Sequence, residues 1–144
     1  MTEELIAQNR SYESIQVGEE VSFSRVIGAP EVATFAALTG DCNPLHMDPE
    51  YAATTRFGGR IAHGMLVASY FSTLIGMYLP GRRAVILSQD VRYAKPVRPG
   101  ERITFRGRVR RKTESLRLLD LDTNAVNEVG EEVIRGRSQV MVLP

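Results

Sequence analysis

Gly64-Met65-Leu66-Val67-Ala68-Ser69-Tyr70-Phe71-Ser72-Thr73-Leu74-Ile75-Gly76-Met77-Tyr78-Leu79 is the longest apolar stretch of the chain. Its apolar residues fall nearly all round a helix, with Ala, Ser and Gly interspersed. A helix apolar on every side is a buried one. Pro80-Gly81 terminates it. The remainder of the chain reads as strands. Leu87, Gln89, Val91 and Tyr93 alternate with Ser88, Asp90 and Arg92, and Pro96 to Gly100 is a turn. Ile103, Phe105, Gly107 and Val109 share one face of the next strand, with Thr104, Arg106, Arg108 and Arg110 on the other. Leu119, Leu121 and Thr123 oppose Leu118, Asp120 and Asp122, and Val133 to Val142 gives a further strand. One buried helix followed by long antiparallel strands predicts an α+β layer structure, a single sheet wrapped around a central helix. Such a helix needs cover beyond one small sheet. A second copy of the chain is the economical supplier, so a homodimer is expected.

Towards the N-terminus, Val21 to Ile27 alternates apolar and polar residues, the pattern of a half-buried strand. Gly28 ends it. Pro30 suits the first turn of a helix, and Val32, Phe35, Ala36 and Leu38 recur at helical spacing until Gly40 stops it. Asp41 to Asp48 reads as a loop from its Asn-Pro content. Pro49 opens a short helix through Ala53, and Gly58-Gly59 breaks the chain again.

The bulk composition fits one domain over residues 1–144. Length and a 43% hydrophobic content allow a real core. A net charge of +1 gives no support for a nucleic-acid binder, which needs a basic surplus. The local cluster of Arg106, Arg108, Arg110, Arg111 and Lys112 sits mostly on the polar side of a strand. It reads as a solvated face, with a dock for phosphates as the alternative. The single cysteine, Cys42, cannot form an internal disulfide, as suits a reducing compartment. The N-terminal residues have no apolar core of signal-peptide length. No uninterrupted apolar run approaches the roughly 20 residues that span a bilayer. A cytoplasmic protein, not bound to membrane, is expected.

The chain has only two histidines, His46 and His63. His46 follows Asp41 by five positions, and the intervening Asn43-Pro44 favours a turn that folds the two side chains towards each other. That spacing alone is weak. The wider run Asp41-Cys42-Asn43-Pro44-Leu45-His46-Met47-Asp48-Pro49, however, resembles the hydratase-2 motif of the MaoC-like, (R)-specific enoyl-CoA hydratases. The likeness continues through Ala52 to Phe57, through Ile61-Ala62-His63-Gly64-Met65-Leu66-Val67-Ala68-Ser69, and through Gln89 to Val97 with the Pro99-Gly100-Glu101 turn. In detail the chain is similar to the short, single-domain members linked to polyhydroxyalkanoate synthesis.

The resemblance implies a hot-dog fold and (R)-specific hydration of trans-2-enoyl-CoA. It implies that Asp41 and His46 together hold and activate one water, and that the Gly64 N–H binds the thioester oxygen. Ser72 falls at a serine that supports the site by hydrogen bonding, or it bonds to a backbone carbonyl one turn earlier. Asn43 caps the loop or touches substrate. His63 braces the loop before the helix or takes part directly. No metal or cofactor is required, CoA being part of the substrate. The chemistry is consistent with these residue types. Negative charge grows on the thioester oxygen and is stabilised by a fixed donor, and a carboxylate with an imidazole can move the water's protons. Three rival readings stay open on sequence alone: a hot-dog acyl-CoA thioesterase, an acyl-carrier-protein dehydratase and a non-catalytic acyl-CoA-binding subunit.

Overall fold

A computed structural model describes residues 6–144 of the chain. The first five residues, part of the N-terminal segment read as lacking a signal peptide, lie outside it. The elements run β1 (Glu20–Ile27), α1 (Ala29–Thr39), α2 (Pro44–Met47), α3 (Pro49–Thr54), α4 (Gly64–Thr73), β2 (Ala84–Tyr93), β3 (Glu101–Thr113), β4 (Leu118–Val126) and β5 (Glu132–Val142). The five strands form one sheet in the order β1-β3-β4-β5-β2. Every neighbouring pair is antiparallel. The sheet's inner face packs on α4, so the α+β hot-dog arrangement is the one observed.

Alternation sets which residues face inward. Ile103, Phe105, Gly107 and Val109 of β3 are buried, while Arg106, Arg108 and Arg110 between them are exposed. Phe105 forms the hub of the core. Its ring stacks on Phe23 at 5.3 Å and on Tyr70 at 5.2 Å, and meets Phe71 edge-on at 5.6 Å. A second apolar cluster, built on Ile75, Leu79, Leu119 and Leu121, continues the core beneath the end of the helix.

Four details differ from the sequence reading. The stretch Asp41 to Asp48 is not all loop, because Pro44–Met47 closes into the short helix α2. Asn43 caps it and Pro44 occupies its first turn, where a missing N–H costs nothing. The central helix is α-helical only to Thr73, and Leu74–Tyr78 forms a π-helical turn in which the Leu79 N–H donates to the Leu74 carbonyl at 3.1 Å. Nor is this helix buried all round. Met65, Ser69 and Ser72 are exposed and share one stripe, while Leu66, Val67 and Phe71 face the sheet. A single five-stranded sheet covers only one side of a helix. Finally, Leu38 and Leu87 face solvent. Leu38 lies on the outer side of α1, and Leu87 sits in a bulge where the β2–β5 register shifts between Ile86 and Ser88.

Candidate active site

Gly40 ends α1 in the left-handed conformation, at φ 82°, where glycine has no steric cost. Its N–H donates to the Ala36 carbonyl at 2.9 Å. The turn delivers Asp41, whose Oδ1 accepts from the Asn43 N–H at 3.2 Å. Asn43 in turn caps α2, its Oδ1 accepting from the Leu45 N–H at 2.9 Å. Capping bonds of this kind satisfy the free donors of a helix start. Asn43 therefore orients the loop that carries His46.

The His46 ring is fixed from the far side of the motif, where Nδ1 lies 2.8 Å from the Ile61 carbonyl. A carbonyl only accepts, so Nδ1 carries the proton and, in the neutral ring, Nε2 presents its lone pair. Ile61 is itself held in place by its neighbour, since the Ala62 N–H donates to the Val97 carbonyl at 2.7 Å. Thus the two halves of the motif, separated by α3, are drawn together.

His63 is only 2% exposed. Its Nε2 lies 2.9 Å from the Asp41 backbone carbonyl, so it is Nε2 that carries the proton. The Asp41 carboxylate lies 4.0 Å from the same nitrogen. The ring packs at a tilt against His46, centroids 4.1 Å apart, and against Phe35 at 4.8 Å. Its Nδ1 is buried and has no partner among the described residues. His63 therefore latches the Asp41 backbone and floors His46. We expect His63→Ala to lower the unfolding free energy by about 2–4 kcal/mol, as for emptying a buried site of this size. Urea titration measures this, and an unchanged midpoint would show that the stack holds nothing.

The carboxylate of Asp41 and ring nitrogens of His46 and His63 all lie within 4.8 Å of one another. A water hydrogen-bonded to two acceptors spans up to about 5.5 Å between them. Asp41, half-exposed, and His46 can therefore share one water. The same three groups could in principle hold a metal ion. His63 Nε2, however, already carries the proton bonded to the Asp41 carbonyl, and ligation through it would break that latch.

Gly64 follows directly as the first residue of α4. No acceptor for its N–H appears among the described hydrogen bonds, as expected for a helix start. A cleft of 450 Å³ opens here, lined by Asp41, His46, His63, Gly64, Tyr93 and Ile134 among others. Ser72 does not join this site. It lies eight residues into the helix, about 12 Å along the axis from Gly64, and is exposed. The bond to a carbonyl of the preceding turn is made instead by Ser69 Oγ, to Leu66 at 2.6 Å.

The basic strand also lies elsewhere. Arg106 and Arg108 line a larger, 680 Å³ groove on the outer face of the sheet, with none of the residues of the Asp41 cleft. Across that face Glu20, Arg108, Asp122, Arg137 and Asp90 occupy one rung of the sheet with alternating sign. Arg111 bonds Asp120 at 2.7 Å. Burial raises the Asp120 carboxyl, but hydrogen bonds from Arg111 and Gln139 outweigh it and hold the group below its ordinary value. Lys112 donates to the Tyr12 and Ile15 carbonyls at 2.7 and 2.6 Å. Much of the cluster is thus already engaged with the protein's own acceptors, as the solvated-face reading requires.

Two residues of the site were not singled out for it from sequence. Phe35 is the apolar support behind His63. Tyr93 brings its ring to the helix start from the end of β2. The inward parity of Gln89, Val91 and Tyr93 was the available signal, but parity does not say where along the helix a ring lands.

A five-stranded antiparallel sheet wrapped on one helix is the hot-dog arrangement, and here an acid and an imidazole gather at that helix's start. The chain matches the MaoC like domain family over residues 13–129. It is 41% identical to the (R)-specific enoyl-CoA hydratase of Aeromonas caviae over 130 residues, spanning 90% of this chain and 97% of that one. The solved structure of the A. caviae (R)-hydratase involved in PHA biosynthesis superposes with a TM-score of 0.88, covering 92% of this chain and 99% of that one. The unliganded R-hydratase of Pseudomonas aeruginosa superposes with a TM-score of 0.90 at 34% identity, covering 95% and 88% of the two chains. The chain belongs to the MaoC-like domain family.

Proposed function

We propose that this protein is a hydro-lyase that adds water to trans-2-enoyl-CoA, giving (R)-3-hydroxyacyl-CoA, and that it also runs the reverse dehydration. The observation that carries this reading is the spacing of the Asp41 carboxylate and the His46 ring, within 4.8 Å, in the cleft that Gly64 lines at the start of α4.

The thioester oxygen takes the Gly64 N–H, where the positive end of the helix dipole adds to the field. The enoyl C3 then faces the water held by Asp41 and His46. His46 Nε2 and the carboxylate are both acceptors, so each can take one of the water's hydrogens. One proton leaves the water as its oxygen bonds to C3, and electrons flow to the thioester oxygen. C2 then recovers a proton from the same pair, on the same face. Asn43 and His63 act through Asp41 and His46 by fixing the loop and the ring stack. No cofactor or metal enters this sequence.

Residues 1–144 act in this reading as one MaoC-like hot-dog domain, assembled as a homodimer. The exposed helix stripe of Met65, Ser69 and Ser72 and the open edge of β2, with Ile86 and Leu87 exposed, support that assembly. Among the described residues no helix is long and apolar enough to cross a membrane, and the proposed location is the cytoplasm. Supply of polyester monomers is the role that fits the PHA-linked relative.

Incubation with crotonyl-CoA tests the reaction. The absorbance of the conjugated thioester falls without release of free thiol, and chiral analysis finds the (R)-3-hydroxy product. Thiol release would identify a thioesterase instead, and neither change would leave only a binding role.

A further inference from the structure

The glycine at position 64 is not demanded by its backbone. Six glycines of the chain have positive φ, at 18, 40, 58, 81, 100 and 130, and Gly64 is not among them. The group that excludes a side chain there is Tyr93. A Cβ built on Gly64 would lie 2.8 Å from Tyr93 Cε1, 3.0 Å from Cδ1 and 3.1 Å from Cζ. Carbon atoms at optimal contact stand about 3.5–4.0 Å apart, so a methyl group at position 64 would require the Tyr93 ring to move from where it sits.

The ring is carried by a rigid element. Tyr93 pairs with Ile134 in the β2–β5 ladder, and the next residue is tied down by the Ala94 N–H donating to the Val133 carbonyl at 2.9 Å. Tyr93 is nevertheless 53% exposed as a residue and lines the same cleft as Asp41, His46 and Gly64. Its ring fills the space a Gly64 Cβ would take, and the residue stays partly open to the cleft. A thioester whose oxygen takes the Gly64 N–H must lie against it.

We propose that Tyr93 is a positioning residue for the reaction: its ring walls the thioester subsite at the helix start, and position 64 lacks a side chain in order to seat that ring. The proposal rests on the hydration reading. An oxygen on a single N–H leaves the acyl group free to swing about that bond. A flat wall beside it removes part of that freedom and holds the C2–C3 bond towards Asp41 and His46. Orientation of this kind acts on the chemical step more than on binding. The surface the proposal calls on is the ring, which Tyr93→Phe keeps.

The test is a double-mutant cycle with Gly64→Ala, Tyr93→Ala and the pair, together with Tyr93→Phe, assayed on crotonyl-CoA. Tyr93→Ala is expected to lower kcat at least about tenfold while KM moves less than about threefold, and Tyr93→Phe to restore kcat to within about threefold. Gly64→Ala is expected to cost at least about tenfold less in kcat/KM when Tyr93 is already Ala, because the methyl group then has room. Tyr93 lies at a half-exposed sheet end, so its removal empties no core site, and thermal melting of each variant verifies the fold. The melting temperatures form a second cycle that reads the Gly64–Tyr93 contact without any assay. Equal costs of Gly64→Ala in both backgrounds, an unchanged kcat in Tyr93→Ala, or a KM effect alone would each overturn the proposal. Turnover by the unaltered protein reports separately on the reaction itself.

Discussion

Asp41→Asn lowers the turnover of crotonyl-CoA by a factor of about 10² to 10⁴, the scale of a lost acid–base group, and leaves the protein folded. Asparagine is the informative replacement. The Asp41 side chain makes one local bond, from Oδ1 to the Asn43 N–H at 3.2 Å, and an amide oxygen can accept it equally well. The latch from His63 is to the Asp41 backbone carbonyl and is independent of the side chain. Loop geometry is therefore kept while the negative charge and the proton-accepting oxygen are lost. Initial rates on the purified variant, beside circular dichroism for the fold, give the answer. A variant that keeps near-normal turnover removes Asp41 from the proton-handling pair and leaves His46 to act alone.

For the fold, the largest single effect belongs to Phe105→Ala, which we expect to lower the unfolding free energy by about 3–5 kcal/mol, the range for emptying a buried phenylalanine site. Phe105 is 0% exposed and its ring touches those of Phe23, Tyr70 and Phe71 at 5.2 to 5.6 Å. These partners come from β1 and from two faces of the central helix. They are anchored in separate elements, so they cannot close the cavity together. Urea denaturation followed by fluorescence of the tyrosines measures the loss. A cost below about 1 kcal/mol would mean that helix and sheet collapse onto the gap, against the rigidity expected of a close-packed interior.

Local chemistry carried much of the sequence reading. The Pro30 start and Gly40 stop of α1 were legible because proline and glycine act on their own backbone and need no tertiary partner. The inward face of β3 was legible because a strand covered on one side alternates, and the central helix because a long charge-free run marks it, although the reading carried it to Leu79 and buried it on every side. The Asp41-to-His46 unit was read from its resemblance to a family motif, since its spacing alone is weak. The failures share a different cause. α2 was read as loop because four residues are too few to show a period. Leu38 and Leu87 were counted as inward because helical recurrence and strand alternation do not reveal that a helix turns one leucine outward or that a bulge breaks the parity. Ser72 was placed at the site from the family pattern, yet it lies two turns away on the exposed stripe.

The order of side chains along the chain thus determined the strands and the central helix, because each is written in composition and period over a few consecutive residues, while the acid–imidazole unit was read from a family resemblance. Folding alone decided that His63 grips the backbone of Asp41 twenty-two residues earlier, that His46 is tethered to Ile61, and that Tyr93 occupies the space a side chain at 64 would need. Each of these contacts joins positions on different elements, and its geometry depends on how a twisted sheet lies across one helix. That angle is set by the packing of the whole core and has no signature in any short stretch of sequence.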